Sequence, residues 1–385
     1  MSDSKGERMA EFVPAEVFPP GVYIRDELSA RDWTQADLAE VMDRPLKTIN
    51  EIVQAKKRVT EETAKELEAA LGIDAEFWLK TEALYRLRHG DPAPSVIAQR
   101  AAIRRRVPLR QMLARGWITP TKDVDKLRTR VEAYIGGPLE THAPFAMAAR
   151  QTSYDKPLTP EQEVWLLRAK QMAESMIAPS FSNAKLLECI KQFGSLRLYA
   201  EDVQHVPKLL NKAGIRFVVV ERLPGLGIDG VCFWLAPNKP VIGMSLRHDR
   251  IDNFWFVLRH ECEHVLKGHG KQGAIIDNDL DHPVEISEQE RIANDAAAHF
   301  CVPPHLMEGF ILRKAPLFTD TNIRQFAYAN GLHSGLVAGQ LRKRLSEGPL
   351  GENAWRLFST HLEKVRHFVV ATAMVDGFGS SPSLD

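Results

Sequence analysis

The sequence holds little cysteine: four residues in 385, Cys189, Cys232, Cys262 and Cys301. So few and so scattered, they exclude a disulfide-stapled secreted scaffold and suit a reducing cytoplasm. No apolar run reaches the ~18 residues of a membrane span. The opening MSDSKGERMAEFVP lacks the apolar core of a secretory signal. Net charge is absent too, with 50 basic and 50 acidic residues, so partners can be read only from how the charge is distributed. What remains is an ordinary composition, 44% hydrophobic and 26% charged, at a length that predicts two or three domains of a cytoplasmic protein.

Residues 1–18 are polar and are expected to be flexible. Residues 19–90 read as short helices, with Thr34 and Thr60 as N-terminal caps and Gly72 as a stop. GDPAP at 90–94 breaks the pattern. Residues 92–121 then lack any acid but carry Arg100, Arg104, Arg105, Arg106, Arg110 and Arg115. That charge is either a solvated helical face or a surface that meets phosphates or acids. With helices expected over 123–135 and 160–213, residues 91–213 read as a helical connector containing the basic segment. Three short strands follow at 215–220, 230–235 and 241–245, each β-branched or bounded by Gly and Pro. The glycines of LPGLGIDG do not precede a helix, which argues against a phosphate loop. From Asn253 the helical period returns, and residues 376–385 are expected to form a flexible tail. The expected fold class is mainly α, with a helix-turn-helix bundle at the N-terminus and a small α+β domain at the C-terminus.

Two constellations carry chemistry. In TQADLAEVMDRPLKTINEI (34–52), Leu38 and Ala39 face inward on one helix, and Ile49 and Ile52 on the next. Asp43 occupies the turn, where a left-handed residue is needed, and Pro45 suits the first position of the second helix. The second helix would expose Lys47, Thr48, Asn50 and Glu51; Lys, Thr and Asn can reach phosphates and base edges. Arg44, Lys56, Lys57 and Arg58 complete a basic cluster. The competing reading is a small helical bundle with a solvated basic end.

Residues 260–264 read His-Glu-Cys-Glu-His. On a helix His260 and His264 share a face and can grip one metal ion, with Glu261 beside them as general base. Cys262 points away and reads as a buried structural thiol. His269 lies about 180° from His260 on a continuous helix, at ~100° per residue, so it does not supply the third ligand. Glu290, 26 residues after His264, leaves room for a loop and a helix start. It is either the third ligand of a His₂Glu set or the far half of a capping box in Ser287-Glu-Gln-Glu290. Asn294 or Asp295 could hold a ligating histidine from behind. Tyr328 and His333 are candidates to stabilise an oxyanion, and each also reads as an ordinary core or surface residue. The acids Asp277, Asp279, Asp281, Glu285, Glu288 and Glu290 read as an exposed loop, a wall of a groove, or a partner for the Arg100–Arg115 segment.

Residues 19–79 resemble the HigA-type antitoxins of the XRE-like repressor family, through PPGVYIRDEL, WTQADLAEVM, KTINEIVQAKKRVTEETAKELEAALG and EFWL. Asp43 and Pro45 depart from the usual Gly and Ser. The resemblance implies binding of double-stranded DNA, as a homodimer on a palindromic operator. Residues 228–303 resemble the ImmA/IrrE family through DGVCFWL, PVIGMSLRHDRIDNFWFVLRHECEH and ERIANDAAAHFCVPP, with Glu263 and Ala296 as departures. This second resemblance implies a gluzincin-like peptidase domain over 214–375, with Zn2+ on His260, His264 and Glu290. Its substrate would be a protein such as a repressor, or its partner a cognate toxin. Together these predict a DNA-binding transcriptional regulator carrying a zinc-dependent endopeptidase. The alternative is an antitoxin or repressor that cuts nothing and whose metal domain senses or scaffolds.

Overall fold

The computed structural model describes residues 16–90, 95–141, 150–151, 158–271, 273–278 and 287–378. Residues 1–15 of the expected flexible start, 379–385 of the expected tail, and the acids Asp279, Asp281 and Glu285 lie outside the described residues. The chain divides into two units, one ending at Ser95 and the other beginning at Val96.

The first unit is helical throughout its described length. It contains α1 (Pro20–Ala30), α2 (Gln35–Val41), α3 (Leu46–Val53), α4 (Glu61–Leu71) and α5 (Ala75–His89). Local chemistry sets the ends. Thr34 Oγ1 accepts from the Asp37 N–H at 3.2 Å, and Asp37 Oδ2 accepts from the Thr34 N–H at 2.6 Å, which satisfies two otherwise orphan donors. Thr60 accepts from the Thr63 N–H, and Gly72 ends α4 at φ +72°. Asp43 makes the left-handed turn between α2 and α3 at φ +48°. Pro45 stands one position earlier than expected, as the cap before α3 rather than its first residue. Ile24, Leu28, Leu38, Ile49, Ile52, Leu67 and Trp78 form the core.

α1 meets α3 at Gly21, where a Cβ would overlap the carbonyl oxygen of Val53. That glycine lets the first helix seat against the last turn of α3 and fixes the angle at which α3 presents its outer face. Gly21→Ala should therefore destabilise the first unit by about 1–3 kcal/mol, the usual cost of overpacking. Urea denaturation followed by circular dichroism reads this directly; an unchanged midpoint would show that α1 does not seat there.

The second unit is built around a six-stranded mixed sheet with helices on both faces. The expected strands are β2 (Arg216–Val220), β3 (Ile228–Trp234) and β4 (Pro240–Met244). They are joined by β1 (Arg150–Gln151), β5 (Ile275–Asn278) and β6 (Met374–Asp376), in the order β1-β5-β3-β4-β2-β6. β3 runs antiparallel to both of its neighbours, and β2 runs parallel to β4 and β6. β2 is buried along its whole length, which explains the unbroken apolar run FVVV after Arg216.

Below the sheet, Val218 and Val220 pack against α6 (Ser95–Arg106), α7 (Leu109–Ala114), α8 (Val124–Ile135) and α9 (Pro160–Ser175). The helices expected as a connector thus belong to the sheet's own unit. Trp165 is fully buried and donates to the Val220 carbonyl at 3.0 Å, and Arg106 grips buried Glu163 in a bidentate pair at 2.6 and 2.7 Å. The expected tail begins inside β6, where Asp376 is buried and held by Arg168.

Above the sheet, Phe217 and Val219 face α10 (Asn183–Ser195), α11 (Val206–Lys212) and α12 (Ile251–Lys267). The same layer includes α13 (Glu288–Cys301), α14 (Pro304–Lys314), α15 (Asp320–Ala329), α16 (Ser334–Ser346) and α17 (Arg366–Val370). α12 is buried on most of its circumference, with Phe254, Trp255, Val257 and Leu258 carrying its first half. It is the rigid element on which the second constellation stands.

Candidate functional site

On the first unit, α3 offers one exposed stripe. Lys47, Asn50 and Gln54 fall at i, i+3 and i+7, so they line up along the helix. Asn50 Oδ1 accepts from Gln54 Nε2 at 2.6 Å. Gln54 was missed at the sequence level, although its place four residues after Asn50 on an outward face would have found it. Both amides can make bidentate contacts with adenine. Lys47 is well exposed and lies 4.0 Å from Glu51; Thr48 is half-buried. Lys56, Lys57 and Arg58 are exposed just after α3, beyond a left-handed turn at Ala55. Arg86 donates to the Ala55 carbonyl at 2.7 Å and pins that turn.

Arg44 departs from its expected role. Its guanidinium forms a bidentate pair with Glu66, at 3.0 and 2.8 Å, and reaches Glu62 at 3.3 Å. It ties the turn before α3 to α4 rather than standing free toward a phosphate.

On the second unit, α12 and α13 bring His260, His264 and Glu290 together, all buried. The two Nε2 atoms lie 2.9 Å apart, and each is 3.2 Å from a Glu290 carboxylate oxygen. Ser287 caps α13 by accepting from the Glu290 N–H at 3.3 Å. The Glu290 carboxylate, however, turns to the histidines instead of closing a capping box. The serine sets the backbone, and the carboxylate is left for the centre.

The partners behind the histidines orient the lone pairs. Asn294 Oδ1, an acceptor, lies 3.0 Å from His260 Nδ1. Nδ1–H therefore donates outward, and Nε2 points its lone pair at the centre. His264 Nδ1 lies 2.9 Å from His269 Nδ1. Burial, and next the neighbouring His264, lower the pKa of His269 below the ordinary histidine value, which suits a neutral acceptor. His269 reaches this place because α12 stops at Gly268, φ +70°, and the chain folds back. The His269 carbonyl then accepts from Trp234 Nε1 at 2.7 Å. Two lone pairs and a carboxylate converging in a buried space are a donor set that fits a divalent cation.

Glu261 is fully buried on the next position of α12. Its carboxylate lies against β3 at Gly230, where a Cβ would overlap Oε1 and sit 2.8 Å from Cδ. Asp229 fixes that stretch of β3 through a bidentate pair with Arg247 at 3.0 and 3.1 Å.

Three other expected site residues have partners or surroundings of their own. Asp295 pairs with Arg291 at 3.3 Å on the exposed side of α13. Tyr328 is 80% exposed on α15. His333 caps α16 by accepting from the Gly335 N–H at 3.0 Å and meets Glu363 at 3.1 Å; its neighbour Gly335 packs against Ile251, more than two turns of α12 before His260. Among the described residues, no hydrogen bond or ion pair links Tyr328 or His333 to the triad. Cys262 is buried with its thiol pKa pushed up to about 12 by burial, which leaves it inert.

Residues 24–78 match the helix-turn-helix family. The N-terminal unit is thus a helix-turn-helix, and α3 is its second helix. This element supports double-stranded DNA as a partner and a DNA-binding regulator as the function. No curated protein matches the chain. No helix among the described residues is long and apolar enough to cross a membrane.

The second unit makes its own prediction. Asn294→Ala and His269→Ala should each weaken the uptake of an added divalent cation by about 10–100-fold, the usual effect of removing a partner behind a ligating histidine. Asp295→Ala should leave it unchanged. Competition against a fluorescent chelator measures all three; equal affinities throughout would mean that neither side chain orients a ligand.

Proposed function

We propose that the chain is a transcriptional regulator whose C-terminal unit is a zinc-dependent endopeptidase acting on a protein such as a repressor or a cognate toxin. One observation carries the reading: His260, His264 and Glu290 converge in a buried His₂Glu set, with a second acid, Glu261, beside His260 on α12. The order of strands, HExxH helix and glutamate helix also follows the ImmA/IrrE resemblance.

His260, His264 and Glu290 would hold the zinc, which supplies Lewis acidity toward a scissile carbonyl. Glu261 takes the proton from the attacking water and returns it to the leaving amine. Gly230 keeps the carboxylate in place by leaving it room. Asn294 and His269 hold the ligating imidazoles in their working tautomers. On the first unit, Asn50 and Gln54 read bases, while Lys47, Lys56, Lys57 and Arg58 meet phosphates.

The complete burial of the triad favours a second reading, in which the metal centre senses or scaffolds without cleavage. Glu261→Gln separates the two. The glutamine keeps the shape and removes the base, so the variant should bind zinc like the wild type yet cleave helix-turn-helix repressors encoded nearby at least about 10²-fold more slowly. Gel analysis of each repressor after incubation gives the rate. Absence of cleavage by the zinc-loaded wild type as well would sink the peptidase reading in favour of the sensor. Loss of zinc in Glu261→Gln would mean that Glu261 is a ligand.

A further inference from the structure

The helix-turn-helix unit is short of the charge that DNA binding uses. Residues 16–90 hold 11 basic and 15 acidic side chains, a net charge of −4. Most of the attraction between a protein and duplex DNA comes from cations that displace counterions from phosphates, and it is largely independent of sequence. A unit with a negative balance gains little of that term beyond the cluster at 56–58.

The next stretch of chain has the opposite balance. Residues 95–122 carry seven basic side chains and no acidic one. The structure sorts these seven into two groups. Arg106 and Arg115 belong to the fold: Arg106 is locked to Glu163, and Arg115 donates to the carbonyls of Glu221 and Arg222 at 2.6 and 2.7 Å. Arg100, Arg104, Arg105, Arg110 and Lys122 are exposed.

These exposed cations have few partners of their own. Among the described residues Arg100 Nη2 reaches only the Lys122 carbonyl, at 3.4 Å, which brings Arg100 beside the chain at Lys122. Arg104 lies one turn further along α6 on the flank of Arg100. Arg104, Arg105 and Arg110 make no ion pair or side-chain hydrogen bond among the described residues. An ordinary solvated helix face mixes both signs of charge, as α8 does, where Arg128 pairs with Glu132 and Glu140. On α6 and α7 no acid is present to do so.

From this we infer that the exposed arginines of α6 and α7, with Lys122, form a second phosphate-binding surface, which adds sequence-independent affinity for duplex DNA to the helix-turn-helix of the same chain. The inference rests on the DNA-binding reading of the first unit. It assigns base selection to α3 and much of the counterion release to residues 100–122. Arginine suits the task, since its planar fork meets phosphate oxygens in pairs and stays charged at any working pH.

The test uses the full chain, a duplex of about 30 base pairs from its own upstream region and a scrambled duplex of the same composition. Affinity is measured by fluorescence anisotropy from roughly 50 to 300 mM salt. The triple variant Arg100→Gln, Arg104→Gln, Arg105→Gln should reduce the slope of log K against log salt by about 2–3, at close to 0.9 per phosphate contact. It should weaken binding to both duplexes alike. All three side chains are exposed, and circular dichroism confirms that the variant stays folded. Asn50→Ala should do the reverse, losing the preference for the upstream duplex while keeping the slope.

A triple variant with the wild-type slope overturns the inference; loss of preference in Asn50→Ala would then still leave the helix-turn-helix reading standing. If the slope is unchanged while binding of a polyglutamate peptide falls, the surface serves an acidic protein partner and the inference is overturned. No duplex binding by the wild type at any salt would overturn both readings.

Discussion

The second unit depends on one electrostatic constraint. Two imidazole nitrogens 2.9 Å apart, with a carboxylate 3.2 Å from each, are buried together. Burying a carboxylate without compensation costs several kcal/mol, and aiming two lone pairs at the same space adds repulsion. A cation at that point turns each of these costs into an attraction. The surrounding architecture serves the same convergence. α12 is held by apolar contacts on most of its surface, α13 is started by Ser287 so that Glu290 faces inward, and Asn294 and His269 turn the imidazoles from behind.

Much of this centre was legible in the sequence, because it depends on local periodicity. The i, i+4 spacing of His260 and His264 puts both on one face, and 26 residues suffice to bring Glu290 back. The capping box that competed for Glu290 could not be settled from spacing, since Ser287 and Glu290 fit both roles. Only the direction of the carboxylate separates them. His269 shows where helix geometry misleads. On an unbroken helix it faces away from His260, but Gly268 reverses the chain and delivers the ring behind His264. The glycine was visible; its left-handed turn was the missing step.

The remaining misses were long-range. β1, β5 and β6 have two to four residues each and are defined by their neighbours in the sheet rather than by their own pattern. Helix α9 looked like part of a connector because residues 164–167 are apolar all round, with no single face to mark what covers them; both the sheet and the flanking helices do. Arg44 was read as a free cation because its partner Glu66 lies 22 residues away on another helix. In the first unit the local signals were sufficient: Thr34, Asp43, Thr60 and Gly72 each do what their chemistry dictates within a few residues.

Two kinds of chemistry are therefore joined in one chain, a helix-turn-helix and a buried His₂Glu cluster. The second is the less expected, and the measurement that bears on it most directly is the metal content of the full chain, purified without chelators and analysed by plasma emission. The account predicts about one zinc per chain in the wild type and loss of most of it in His264→Ala. Folded wild-type protein without stoichiometric metal, unable to take up added zinc, would contradict it.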